Sequence, residues 1–203
     1  MSPSTLGHML DSGFAADLAP VVRPARCIGT AFTVRLPSLD STALHYAVDM
    51  LAPGYVLVVD TGGDRTRACL GGGVSFTAKA RGAVGIVVDG KVTDYNDLSE
   101  LGIPVYARGV SPLTTRIVGI EGAVNVPVNI DGAVVTPGDI VLADDDGVVF
   151  ISPSDAAHLA DRASKAQQWE SEVLIPHIRQ GGRISDLSGA AAYVEKSAAE
   201  AAI

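Results

Sequence analysis

The chain has 203 residues, 47% of them hydrophobic but only 5% aromatic, and a formal net charge of −8 at pH 7. That length suits a single domain with a core of Ala, Val, Leu and Ile. The acidic balance argues against nucleic acid as a partner, because phosphate-backbone binders need a basic surface. No run of about 18 apolar residues offers a membrane span, and no basic-then-apolar leader opens the chain, so a cytoplasmic protein is expected.

In chain order, residues 5–12 read as a short helix behind a Ser4 cap. Residues 28–36 alternate as a strand does, with Val34 and Leu36 on one face. Residues 42–51 carry helical spacing at Leu44, Ala47, Val48 and Leu51, and Pro53-Gly54 marks a turn. Residues 55–60 form a near-continuous apolar run, as in a strand buried on both faces. Residues 68–81 are compatible with a helix apart from their glycines. Residues 83–89 read as a second buried strand, 97–101 as a helical turn and 105–108 as a third strand. This strand–helix–strand rhythm predicts an α/β fold with a parallel core sheet. Alternating Val and Ile in 117–130, and the Thr136-Pro137-Gly138-Asp139 break within 134–149, predict hairpins. Residues 155 to about 178 read as a long helix capped by Ser152 or Ser154. An Ala-rich tail follows from Gly181. No linker divides the chain, so residues 1–203 are expected as one domain.

Chemistry concentrates between Gly71 and Asp97. Asp94 and Asp97 are spaced to share one side of a tight loop or of a first helical turn. One carboxylate can hold a divalent ion while the other orients a bound water. The alternative is that Asp94 or Asn96 only caps the turn that begins near Asp97. Gly71, Gly72 and Gly73 precede helix-compatible residues and suit a backbone anion nest at a helix N-terminus. The alternative is a flexible turn or close helix packing, since the pattern is neither a Walker loop nor a dinucleotide fingerprint. Gly62-Gly63 is a weaker version of the same feature. The nearby cations are Arg65, Arg67, Lys79, Arg81 and Arg108. Each is expected to be mostly solvated, although arginine can grip a carboxylate with both arms. His8, His45, His158 and His177 have no metal spacing, and His45 reads as a core or surface histidine. Lys91 sits in polar surroundings that speak against Schiff-base chemistry. Cys27 and Cys69 match no zinc spacing and read as buried free thiols.

Four ordered segments, GYVLVVDTGG, ARGAVGIVVDGKVTDYNDL, GIPVYARGVSP and TPGDIVLADDDGVVFIS, resemble the RraA-like family. The similarity runs from about residue 4 to residue 187. That family contains metal-dependent 4-hydroxy-4-methyl-2-oxoglutarate/4-carboxy-4-hydroxy-2-oxoadipate aldolases and protein regulators of ribonuclease E activity. Its aldolases carry a glycine, twenty intervening residues, Arg-Asp, two more residues, then Glu or Asp. Here Gly72 is followed by twenty residues, then Thr93-Asp94, two residues and Asp97. The resemblance implies a metal ligand at Asp94, an acid at Asp97, and a substrate-holding backbone at Gly71, Gly72, Gly73 and Val74. It puts the substrate arginine at Thr93, where the chain departs from the pattern. One neutral hydroxyl there replaces a charged, forked donor. A glutamate from a neighbour's C-terminal helix is implied at Glu170, with Glu172 as the other register. The implied fold is a layered β/β/α swivelling-domain type, assembled as a trimer or a hexamer. The implied activity is that of an Mg²⁺- or Mn²⁺-dependent lyase. As an aldolase or decarboxylase it breaks a C–C bond in a small 2-oxo acid and leaves a pyruvate-type enolate. The alternatives are a non-catalytic protein-binding regulator, or a family enzyme with a different substrate because of Thr93.

Overall fold

A computed structural model describes residues 1–37 and 39–201. Residues 2–157 form one compact unit, and the residues from His158 onward, with Met1, form another.

The first unit opens with α1 (Pro3–Gly7), β1 (Phe14–Ala15), β2 (Ala19–Pro20) and β3 (Cys27–Arg35). Then come α2 (Thr42–Ala47), which runs into a 3₁₀ turn at Val48–Met50, and β4 (Tyr55–Asp60). β5 (Ala68–Leu70) leads into α3 (Gly72–Ala80), β6 (Gly85–Asp89), β7 (Lys91–Val92), α4 (Tyr95–Leu101) and β8 (Val105–Ala107). The remaining strands are β9 (Ala123–Val124), β10 (Val128–Ile130), β11 (Ala133–Val135), β12 (Ile140–Asp144) and β13 (Gly147–Ile151), after which α5 (Pro153–Trp169) begins.

The main sheet runs β1-β13-β12-β3-β4-β6-β8-β2, with β9 also paired to β3. Its centre, β3, β4, β6 and β8, is parallel, as the strand–helix–strand rhythm predicts. The β12–β13 and β12–β3 pairs are antiparallel. β4 is buried on both faces, which explains its unbroken apolar run. Leu57 and Val59 join Phe32, Val34, Ile86 and Val88 under Leu44, Ala47, Ala78 and Leu98 of α2, α3 and α4. On the opposite face Val56 and Val58 join Ala31 and Val87 under Val128, Ile130, Ala133 and Val135 of the β10–β11 hairpin. Hairpin, sheet and helices therefore stack as the β/β/α layers expected. The hairpin turns on Asp131 (φ 53°) and Gly132 (φ 87°). Positive φ at both central residues is what a tight hairpin twisted like its strands requires.

Local boundaries depart from expectation for identifiable reasons. The first helix is earlier and shorter than 5–12. Its cap is Ser2, whose hydroxyl accepts the Thr5 N–H (3.2 Å), and Pro3 sits in the first turn, where a missing N–H costs nothing. The stretch 68–81 is not one helix. Ala68–Leu70 is a short strand paired in parallel with β7, and the helix starts only at Gly72. Ser152, not Ser154, accepts the Asp155 N–H at the start of α5.

In the second unit α5 continues into a π-helical turn, Glu170–Leu174, and then α6 (Ile175–Arg179). The Ile175 N–H reaches the Glu170 carbonyl, five residues back. Pro176 explains the widening, because it lacks an N–H and its ring crowds the carbonyl four residues earlier. Glu170 and Glu172 both lie in this turn, and both are exposed. α7 (Ile184–Ser188) and α8 (Ala190–Ala201) follow. No helix among the described residues is long and apolar enough to cross a membrane.

Candidate active site

Two loops meet beside the first turn of α3. The Thr93 N–H donates to the Leu70 carbonyl (2.9 Å), tying the end of β7 to the end of β5. Asp94 follows in the left-handed region, φ 58° and ψ 49°, which aspartate tolerates better than most residues. It occupies the N-cap position of α4, yet its side chain accepts no bond from that helix. Instead Oδ2 accepts the Gly72 N–H at 2.9 Å. The capping alternative for Asp94 therefore fails for α4: one carboxylate oxygen caps the neighbouring helix α3 instead.

Asp97 packs against the same turn. A Cβ on Gly72 would come within 2.6 Å of Asp97 Oδ2, and one on Gly71 within 2.2 Å of Asp94 Oδ2. Gly71 and Gly72 are glycine because two carboxylates occupy the space of a side chain. A Cβ on Gly73 would meet nothing within 4 Å. The N–H groups of Gly73 and Val74 belong to the first turn, where no intrahelical acceptor exists and the helix dipole is positive. Backbone donors and paired acids thus stand side by side.

A cleft of about 550 Å³ opens here, lined among the described residues by side chains and backbone between Ser41 and Ile117. Gly71, Gly73, Val74, Thr93 and Asp94 line it, whereas Asp97 does not. Ser41, His45 and Asp49 contribute from the α2 side and Thr114, Thr115 and Arg116 from the loop after β8. Cys69 also lines it, but burial pushes its thiol up to about 12, so the sulfur stays protonated and is no nucleophile.

The cations singled out from the sequence are engaged elsewhere. Arg65 pairs with Asp89 (3.2 Å), Arg67 with Asp64 (3.7 Å) and Arg81 with Asp49 (2.8 Å). Lys79 donates to the Leu101 carbonyl (2.5 Å) and Lys91 to the Arg108 carbonyl (2.6 Å). Arg108 corrects the expectation of a solvated side chain. Only 12% exposed, it bonds Asp89 through Nε at 2.5 Å and also pairs with Asp131 and Asp17. Loss of water around Asp89 raises its carboxyl above the ordinary value. This network braces the ends of β6 and β8 and the hairpin turn. Sequence reasoning missed Arg116 altogether and set His45 aside. Neither belongs to a periodic pattern, so no local signal marked them.

Among the described residues no three His, Cys, Asp or Glu side chains cluster as a metal cage. Asp94 Oδ1 has only a long contact, 3.4 Å, from the Thr93 hydroxyl. One accessible carboxylate oxygen in an open cleft fits a hard cation that keeps most of its water, as Mg²⁺ does, and does not fit a closed zinc site.

The sequence profile described as RraA-like, Aldolase/RraA, matches residues 6–150, nearly the whole of the unit that holds the cleft. The chain belongs to the RraA-like family. A Halalkalibacterium halodurans member named "Putative 4-hydroxy-4-methyl-2-oxoglutarate aldolase" is 33% identical over 156 residues, 77% of this chain and 74% of its own. A Burkholderia mallei member of the same name is 36% identical over 144 residues, 69% of this chain and 86% of its own. The crystal structure of Streptomyces coelicolor RraAS2 is described as that of an unusual member of the RNase ES inhibitor RraA protein family. It aligns with a TM-score of 0.75 at 32% identity, over 84% of this chain and 90% of that one. RraA-like proteins thus carry both aldolase and ribonuclease-inhibitor names, and the reading for this chain rests on its own cleft.

Proposed function

We propose that this chain is a divalent-cation-dependent lyase that breaks a C–C bond in a small 2-oxo acid and yields a pyruvate-type enolate. The observation that carries the reading is the pair Asp94 and Asp97 packed on the glycine-only turn of α3, with Asp94 open to the cleft. Capping α3 takes only one oxygen of Asp94, and a second acid beside it is more than a cap needs.

In this reading Asp94 holds Mg²⁺ or Mn²⁺, which supplies positive charge where the enolate develops. The chain's own groups do the rest. The N–H groups of Gly73 and Val74, at the positive end of α3, bind the anionic end of the oxo acid. Asp97, against the same turn but behind the cleft lining, is assigned to orient the water that takes the proton from the C4 hydroxyl. The C4 oxygen forms a carbonyl as the C3–C4 bond breaks, the bond's electrons pass to C3, the C4 fragment leaves as a carbonyl compound, and the remaining enolate is reprotonated to pyruvate. Oxaloacetate decarboxylation needs the same enolate and is an expected side activity. We further infer a homotrimer or hexamer in which Glu170, or Glu172, of the neighbouring subunit shares in the proton transfer. Exposed apolar residues on the helices beside the cleft, Tyr46 at 69% and Phe76 at 65%, support an association face there. The unpaired, buried Cys27 and Cys69 suit the reducing cytoplasm.

The test is pyruvate release from a panel of 4-hydroxy-2-oxo acids and oxaloacetate with Mg²⁺ or Mn²⁺. Activity is expected to vanish with excess chelator, return with added cation, and be absent in Asp94→Ala while the fold persists. Full activity in chelator overturns the cation, and no turnover of any panel member overturns the lyase. The second reading, a ribonuclease regulator, is favoured by the likeness to RraAS2 and by Thr93. It acts through an outer surface, so ribonuclease inhibition would survive Asp94→Ala.

A further inference from the structure

Thr93 leaves the cleft without the expected arginine, and the cations near it in sequence do not replace it. Arg65, Arg67, Lys79, Lys91 and Arg108 are each bound to a carboxylate or a carbonyl. One cation does face the cleft. Arg116 is the only lysine or arginine that lines it among the described residues. Its guanidinium has no intramolecular acceptor among them. The one other acid lining the α2 side, Asp49, is taken by Arg81 at 2.8 Å.

The backbone that carries Arg116 is held from both sides. Its N–H donates to the Leu39 carbonyl (2.9 Å), and its carbonyl accepts the Ser41 N–H (2.9 Å) and the Ser41 hydroxyl (3.3 Å). One residue earlier, the Thr115 N–H donates to the Ala68 carbonyl (3.0 Å) on β5, the strand that leads into the glycine turn. Two residues later, the Val118 N–H donates to the buried Asp40 carboxylate (3.1 Å). An arginine with a fixed backbone and an uncommitted fork is organised to receive a planar, two-oxygen anion.

We propose that Arg116 binds the distal carboxylate of a dicarboxylic 2-oxo acid, whose oxo-acid end lies at Asp94 and the first turn of α3. Arg116, not residue 93, then sets the preference of this chain for diacids over monoacids. The proposal deepens the lyase reading and takes from it the placement of the oxo-acid end. Because the guanidinium is exposed and screened, the preference is expected near the low end of charge-assisted contacts, about tenfold.

The experiment compares two unreactive probes of equal chain length, 2-oxoglutarate and 2-oxovalerate, by calorimetric titration in Mg²⁺ buffer. Wild type is expected to bind 2-oxoglutarate about tenfold more tightly. Arg116→Gln should cut that ratio to about twofold without changing 2-oxovalerate affinity or the melting temperature, and Arg116→Lys should restore part of it. No diacid preference in wild type, or an undiminished preference in Arg116→Gln, overturns the proposal. Neither probe is cleaved, so the result stands apart from turnover. An Arg116-dependent preference in a protein that releases no pyruvate from any hydroxy acid confirms the carboxylate site and removes the lyase.

Discussion

Gly71 and Gly73 lie two residues apart and lack side chains for different reasons. A methyl on Gly71 would collide with Asp94 Oδ2 and with Thr93, while one on Gly73 meets open space. Gly71→Ala must therefore displace the carboxylate assigned to the cation. Misplacement by about an ångström at a reacting site commonly costs on the order of a hundredfold. Gly71→Ala is expected to lose at least that much kcat/KM in the pyruvate assay. Gly73→Ala relieves the chain of a flexible residue inside a helix and should raise stability by about 0.4–1 kcal/mol. Thermal melts of the two variants check the contrast, and a Gly73→Ala protein that melts well below wild type contradicts it. The same residues show how far the motif could be read. Spacing brought out Asp94, Asp97 and the glycines together, but not that the glycines exist to admit the carboxylates.

Among the elements, the loop over residues 116–120 is the one the cleft depends on, and Asp40 holds it. The buried Asp40 carboxylate accepts the Thr42 hydroxyl (2.5 Å) and N–H (2.9 Å), the Val118 N–H (3.1 Å) and the Ile120 N–H (2.6 Å). The Thr42 hydroxyl first, and then these N–H groups, hold its carboxyl well below the usual carboxylate range. A carboxyl depressed by folding stabilises fully above its unfolded value, about 3.9, and loses that contribution as pH falls toward the folded value. Melting temperature is expected to fall progressively below about pH 4 on this account. Asp40→Asn should melt lower than wild type at pH 7, and the gap should narrow as pH drops from 4 toward 2. A gap independent of pH contradicts the assignment. The Leu39–Asp40–Ser41 segment carried no signal before folding, because every donor to Asp40 except Thr42 comes from more than seventy residues away.

At the scale of the whole molecule, a proton relay that draws Glu170 or Glu172 from another copy requires a closed assembly. Cyclic symmetry supplies equivalent sites with one kind of interface. Light scattering at micromolar concentration is expected to report three or six chains. Phe76→Asp, on α3 but outside the cleft lining, should shift the protein toward monomer and lower turnover together. A fully active wild-type monomer contradicts the shared site.

The sequence alone marked the core strands and, through the family resemblance, pointed to the layers and to the residues of one wall of the cleft. The apolar runs at 55–60 and 83–89 marked the buried strands β4 and β6, and alternation marked the β10–β11 and β12–β13 hairpins, whereas 117–122, expected within a hairpin, is loop and β9 pairs with β3 instead. Such patterns are local, since burial of a face repeats every two residues or every turn. Asp94, Asp97 and the glycines were legible for a similar reason, because their spacing is a property of one segment. What only the tertiary structure decided was which segments meet. Ala68–Leu70 is too short for a periodic signal and becomes a strand by pairing with β7. Arg108 is buried because Asp89 and Asp131 converge on it from β6 and the hairpin turn. Arg116 reaches the cleft because Leu39, Ser41, Asp40 and Ala68 hold its loop. Those contacts depend on the order of strands in the sheet, and strand order is set by long-range pairing that no local period encodes.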